Sequence, residues 1–261
     1  MATDNITFLG TSDAIPSWER SHASLVAHMA HKTILLDCGE PCAKNLAFEC
    51  VNFGSIDAIL LSHLHPDHVA GLLQVIIGMW LEAKRTRDII VYMPAEGVET
   101  FRKLILTTYL FPELIKFNVD FRPLSDGQTF EIGPVQVTPH RTTHLDSIRR
   151  IGGNKHGVPC EPFLYELAAN GKRIAYSGDM GEPDDLLSVL DRPLDLLVTE
   201  CAHFSPRLLF ETLRGKPVQR VALTHLHRQL WDKKDELPAM AKDYGLADKL
   251  TIARDGMKLE F

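Results

Sequence analysis

Short apolar runs recur along the chain, and their spacing sets the elements. "NITFLG" (residues 5–10) predicts a strand closed by a glycine turn. "HASLVAH" (22–28) and "KTILLDCG" (32–39) predict two more. "IDAILLSH" (56–63) is a continuous apolar run of the kind buried on both faces. After Gly71, "LLQVIIGMWLEAKRT" changes to helical periodicity, with basic residues near its C-terminal end that suit the helix dipole. "DIIVYM" (88–93) is a further buried strand stopped by Pro94, and "GVETFRKLILTTYL" is helical. "LAFEC" (46–50) is too short to assign.

The second half repeats the alternation. "NVDFRPL", "QTFEIG" and "VQVTPH" predict short strands with turns at Asp126-Gly127 and Gly133-Pro134. "FLYELAANGKRIAYSGD" predicts a hairpin with Asn170-Gly171 as its two-residue turn. "PDDLLSVL", "RLLFETL" and "DELPAMAKDYG" read as helices. "LDLLVTE" and "VQRVALTH" read as buried strands, and "KLTIARDGMKLEF" as a closing hairpin. The stretch 147–162, "SIRRIGGNKHGVPCEP", reads as an exposed loop carrying Arg149, Arg150, Lys155 and His156. No repeat, low-complexity tract or Gly/Ser linker interrupts the pattern. The expectation is one α/β domain over residues 1–261.

Composition narrows the function classes. The chain has 261 residues, 45% hydrophobic and 24% charged, with a net charge of −6, so no global basic field draws in nucleic acid. The N-terminus lacks a basic region followed by an apolar one, and no apolar run approaches a membrane span. The five cysteines form no CxxC pair and read as reduced thiols. Together these predict a cytoplasmic protein with no membrane contact.

The chemistry concentrates in "SHLHPDH". His63, His65, Asp67 and His68 fall within six residues, directly after a buried strand. Histidines at i and i+2 can turn toward one ion where a strand opens into a loop. Pro66 fixes the chain before Asp67 and His68, which can reach a second ion. Four donors this close are too many for one tetrahedral site that keeps a water, which favours two metals. Further donors stand at other strand ends: His140 and His144 in "VTPHRTTHLDS", Asp179 in "SGDM", and His225 and His227 in "LTHLH".

These residues resemble the metallo-β-lactamase superfamily, over nearly the whole chain. The resemblance rests on "SHLHPDH", His144, Asp179 in "SGD", His225 in "LTH" and the closing "ARDGMKLEF". Within it, the opening "FLGTSDAIPSWERSHASL" with "LLDCGE" looks like the ribonuclease Z branch and its phosphodiesterase relatives. The resemblance implies a four-layer αββα sandwich with two divalent metals at one edge. Zinc is the expected metal, with manganese and iron as alternatives. It further implies His63, His65 and His144 on one metal, Asp67, His68 and His225 on the other, and Asp179 bridging them. Histidines at 65 and 68, where a redox di-iron branch has a carboxylate, favour hydrolysis. The family often forms homodimers.

The sequence departs from that branch in places. It lacks the long Gly/Pro-rich arm that grips tRNA. "THLHRQL" lacks the usual Ser and Arg-Tyr, and "CGEPC" lacks a usual glycine. The expected activity is therefore metal-dependent hydrolysis of a small or nucleotide-like phosphodiester, with nucleic acid as substrate left open. An ester, lactone, thioester or sulfate substrate on the same metals is the alternative, and a non-catalytic binding protein ranks last. For the reaction, Asp67 can ligate, orient or accept a proton, and His227 and His203 are candidate general acids. Glu200 can orient one of them, and Asp37 can buttress the metal loop. His22, Arg149 and Arg150 are candidate substrate contacts, and Trp18 and Trp231 can frame a pocket.

Overall fold

The computed structural model describes residues 3–261. Two seven-stranded sheets stack face to face. The first sheet is built from β1 (Asn5–Gly10), β2 (Ser24–Met29), β3 (Lys32–Leu36), β4 (Ile56–Leu60), β5 (Ile89–Met93) and β6 (Val119–Pro123). The second contains β7 (Phe130–Ile132), β8 (Val135–Arg141), β9 (Phe163–Ala169), β10 (Lys172–Tyr176), β11 (Leu196–Glu200), β12 (Val221–Thr224) and β13 (Leu250–Ile252). The last strand, β14 (Lys258–Glu260), returns to the first sheet beside β1. The orders are β14-β1-β2-β3-β4-β5-β6 and β13-β12-β11-β10-β9-β8-β7.

Strand alternation explains the unbroken apolar runs. Leu25, Ala27 and Met29 of β2 enter the core between the sheets, while Val26 turns to the opposite face. That face is covered by the helices Leu72–Leu81 and Val98–Thr107. In the first, Leu72, Val75, Ile76 and Met79 form the buried stripe, at helical spacing. On β11, Leu196 and Val198 face the inter-sheet core, and Leu197 packs outward against the helices Pro206–Leu213 and Leu237–Lys242. The layers are therefore αββα, as the resemblance implied.

Two expectations need correcting, and one unassigned stretch finds its element. "KLTIARDGMKLEF" is not a hairpin. β13 pairs in parallel with β12, and β14 pairs antiparallel with β1 in the other sheet, so residues 253–257 cross from one layer to the next. Residues 147–162 are not all loop. Asp146–Ile148 is helical, Arg149–Gly153 forms a π-helical turn, and Asn154–His156 continues it until Gly157 turns left-handed. Glycines at 152 and 153 hid that helix from a propensity reading. "LAFEC" supplies the end of a helix, Cys42–Phe48, anchored by buried Cys42 and Leu46. No helix among the described residues is long and apolar enough to cross a membrane.

The sandwich puts its chemistry at one edge. β3, β4, β8, β10, β11 and β12 all end there, and the residues just past them are Asp37, His63, His144, Asp179, His203 and His225. The hairpin of β9 and β10 turns at the far end through Asn170 and Gly171, both with positive φ.

Candidate metal centre

Local structure in the 63–68 segment follows from Pro66. His65 is extended, and Pro66 opens a single helical turn, Pro66–Val69, whose first turn carries Asp67 and His68. The turn packs on the loop after β3. Cys38 N–H donates to His68 O, and a Cβ on Gly39 would run into the carbonyl oxygen of Asp67. Glycine is required at 39 for that close approach.

Three groups of donors result among the described residues, and the third, Asp179 with Glu200 and His203, shares Asp179 with the first. His63, His65, His144 and Asp179 each offer one ligand atom, all within 4.8 Å of one another; Asp67, His68 and His225 form a second such group. The Asp179 carboxylate divides between these two. Its Oδ2 lies 3.7 Å from His63 Nε2 and 3.6 Å from His144 Nε2. Its Oδ1 lies 3.3 Å from both His68 Nε2 and His225 Nε2. Asp67 Oδ2 is 3.5 Å from His68 Nε2 and 3.9 Å from His225 Nε2.

The donors fit divalent ions. His68 Nε2 and Asp179 Oδ1 are buried and have no hydrogen-bond partner among the described residues, a costly state for polar atoms that an ion between them would relieve. Bonds of about 2.0–2.1 Å in a tetrahedron put ligand atoms about 3.3–3.4 Å apart, close to the Asp179 distances. Imidazole and carboxylate together suit borderline divalent metals.

Buried carboxylates hold the donors in place. Asp37 is fully buried. Its Oδ1 accepts Ser62 N–H at 2.7 Å, and its Oδ2 accepts Ser62 Oγ–H at 2.8 Å and Tyr176 O–H at 2.7 Å. The same Oδ2 lies 2.7 Å from His68 Nδ1. A carboxylate only accepts, so Nδ1 carries the proton and Nε2 presents its lone pair to the centre. Burial opposes the charged form of His68, but Asp179 and Asp37 hold its imidazole well above the ordinary value, so an ion would take Nε2 in exchange for a proton. Burial drives His63 well below that value and His144 down to about 4. Burial likewise opposes the Asp179 carboxylate, yet His225 and His68 keep it well below the ordinary carboxylate range.

His203 joins the edge of this set. Its Nδ1 lies 2.8 Å from both oxygens of Glu200, and its Nε2 is 4.0 Å from Asp179 Oδ2. Its ring centroid is 4.5 Å from that of His144, and the side chain keeps 36% of its exposure. Glu200 is fully buried and also accepts the N–H groups of Met180, Ala202 and His203. One carboxylate thus ties the Asp179 loop to His203.

The remaining candidates are placed differently. His227 is in none of the donor groups; its Nδ1 accepts Leu230 N–H at the start of the helix Arg228–Asp232. His140 faces Glu166 at 3.9 Å. Arg150 lines a cavity of about 660 Å³ that is also bounded by His65, His144, His203, Ser147 and Glu182. Arg149 is not part of that lining and pairs with Asp146 at 3.0 Å. Both ring nitrogens of His22 are buried without hydrogen-bond partners among the described residues, and its Cβ sits against Gly39. Trp18 and Trp231 border a separate cavity of about 330 Å³.

Sequence reasoning missed three contributors. Ser62 and Tyr176 complete the shell of Asp37. Asp185 Oδ2 accepts Thr143 N–H, Thr143 Oγ–H and Gly181 N–H at 3.0–3.1 Å, pinning the His144 and Asp179 loops together. Ser62 adjoins the histidine motif and Tyr176 lies in "RIAYSGD", whereas nothing in "PDDLLSVL" marks Asp185.

Comparison with known proteins identifies the family. The family model described as "Anti-Pycsar protein Apyc1" matches residues 5–213. A ribonuclease Z of Methanopyrus kandleri is 31% identical, with 96% of this chain and 95% of that protein covered. A ribonuclease Z of Archaeoglobus fulgidus is 26% identical, with 98% and 97% covered. Among solved structures, the metallo-β-lactamase fold protein YhfI from Bacillus subtilis superimposes with a TM-score of 0.79 at 19% identity, covering 100% of both chains. The chain therefore belongs to the family described as Anti-Pycsar protein Apyc1 and is a ribonuclease Z-like, metal-dependent hydrolase of the metallo-β-lactamase superfamily.

Proposed function

We propose that the chain is a dinuclear zinc phosphodiesterase acting on a small or nucleotide-like phosphodiester, with His63, His65 and His144 on one ion and Asp67, His68 and His225 on the other. The observation that carries this reading is the division of Asp179, one oxygen toward each histidine group. When bound, the two ions supply Lewis acidity toward water and the phosphoryl group. The relatives' names add support, because a ribonuclease Z cleaves phosphodiesters of RNA. The family's role, as an anti-Pycsar protein, is part of the same proposal.

The chain's own groups divide the work. Asp67 orients the attacking water and accepts its proton. His203, aimed by Glu200, donates a proton to the leaving alkoxide. Arg150 stands at the cavity wall where an anionic substrate enters, and a guanidinium pairs well with phosphate oxygens. The reading takes the chain to lack a long tRNA-gripping arm, which favours a small substrate. It also takes the chain as one domain, working in the cytoplasm.

The test is metal analysis followed by a panel of aryl phosphodiesters, aryl esters, lactones and aryl sulfates, each with zinc and with manganese. The expected result is about two ions per chain and turnover of the phosphodiesters first. Folded protein that takes up no metal overturns the dinuclear reading. Preferential turnover of esters, lactones or sulfates overturns the phosphodiester reading.

A further inference from the structure

Arg20 is 3% exposed and makes no ion pair among the described residues, though Asp13, Asp255, Glu19 and Asp232 lie near enough to favour its charge against burial. A buried guanidinium is costly, so its partners matter. Its Nη1 donates to Leu226 O at 2.7 Å and reaches Thr11 O at 3.4 Å. Its Cζ lies 4.4 Å from the centroid of the Trp231 ring, whose Nε1–H donates to Glu19 at 3.3 Å. Leu226 directly follows His225, and Thr11 O is also the acceptor of His225 N–H, at 2.9 Å. His225 itself has φ +50, a left-handed conformation that a side chain with a Cβ rarely adopts without support.

The loop that carries Arg20 is fastened at both ends. Asp255 accepts Thr11 Oγ–H at 2.8 Å and Ser21 N–H at 2.7 Å. The opening "GTSDAIPSWERS" and the closing "ARDG" therefore meet behind the His225 turn. We propose that Arg20 is a positioning residue for His225: its guanidinium holds the Leu226 carbonyl, keeps His225 in its left-handed turn and so aims the imidazole at Asp179. The assignment of His225 to a metal rests on the two-metal reading; the turn itself does not.

Two measurements on the full chain separate these. In metal-free protein, amide hydrogen exchange at His225 is compared between wild type, Arg20→Ala, Arg20→Lys and Trp231→Leu. In metal-loaded protein, the affinity of each of the two ions is measured by chelator competition. Arg20→Ala is expected to speed His225 exchange and to weaken one ion by about 10-fold or more while sparing the other. Arg20→Lys, which retains a cation able to reach the carbonyl, is expected to recover part of both losses. Trp231→Leu removes the platform and gives a smaller change in the same direction; it also serves if Arg20→Ala does not fold. Unchanged His225 exchange in the folded variants overturns the inference, as does equal weakening of both ions. Failure of the wild type to bind two ions overturns the metal reading alone, because the exchange data still decide the role of Arg20.

Discussion

The carboxylate of Asp37 and Nδ1 of His68 lie 2.7 Å apart, joining the end of β3 to the turn after Pro66. Asp37 makes no contact with the cavity, yet it fixes which nitrogen of His68 carries a proton. Asp37→Asn keeps the shape but lets an amide N–H face Nδ1, so the tautomer is no longer imposed. The expected result is a folded protein whose metal affinity is about 10–100-fold weaker. Chelator competition measures it, and wild-type affinity in the variant would remove Asp37 from the site's design.

His203 separates binding from chemistry. Because Glu200 orients its ring and its far nitrogen faces Asp179 at 4.0 Å, His203→Ala is expected to leave metal content unchanged. On an alkyl phosphodiester, whose leaving group needs a proton, kcat is expected to fall about 100-fold or more. On a p-nitrophenyl ester, whose leaving group needs none, the loss is expected to be small. An equal loss on both substrates would argue for a structural role.

The fold and the donors differ in how readable they were. Strands such as "IDAILLSH" stand out because both faces are buried, so the apolar run is unbroken. The donors stand out because each follows such a strand within a few residues. Asp185 and Arg20 did not stand out, because the partners that define their roles are backbone groups distant in sequence, Thr143 N–H 42 residues from Asp185 and Leu226 O 206 residues from Arg20. Backbone partners leave no residue type to recognise. The crossing of residues 253–257 was hidden for a related reason. Two short strands around Asp255-Gly256 look like a hairpin whichever sheet each joins, and the choice is made by pairing with β12 and β1. The helical turn at Arg149–Gly153 escaped because its glycines lower local propensity, while packing of Gly153 against Cys160 and Val158 holds it.

Gly181 lies where the Asp179 and His144 loops touch. A Cβ there would meet the Thr143 hydroxyl and sit 2.9 Å from the Thr143 carbonyl carbon and oxygen. Gly181→Ala must push the two loops apart, and overpacking of this kind costs about 1–3 kcal/mol. Denaturant unfolding measures the cost. Adding Thr143→Ser removes no clashing atom, since the hydroxyl and backbone remain, so the double variant is expected to recover nothing.

Glu166 gives a pH prediction away from the donors. It is 6% exposed on β9 and accepts Arg173 Nη2 at 2.6 Å and Arg192 Nη2 at 3.2 Å. Burial opposes its charge, but the Arg173 hydrogen bond and charge outweigh burial and hold its carboxyl below the ordinary range. A folded-state value below the unfolded one means stability that is fully present above the ordinary carboxylate value. That stability is lost as pH falls through the folded value, where both states bind the proton. Glu166→Gln removes the charge but leaves an amide oxygen for Arg173. The variant is expected to be about 1–3 kcal/mol less stable at neutral pH. The gap should narrow as pH drops below the ordinary carboxylate range, because wild type then loses the same ion pair by protonation. Urea unfolding of both proteins across that range reads the gap directly, and a gap that stays constant would show that Glu166 acts through shape and not charge.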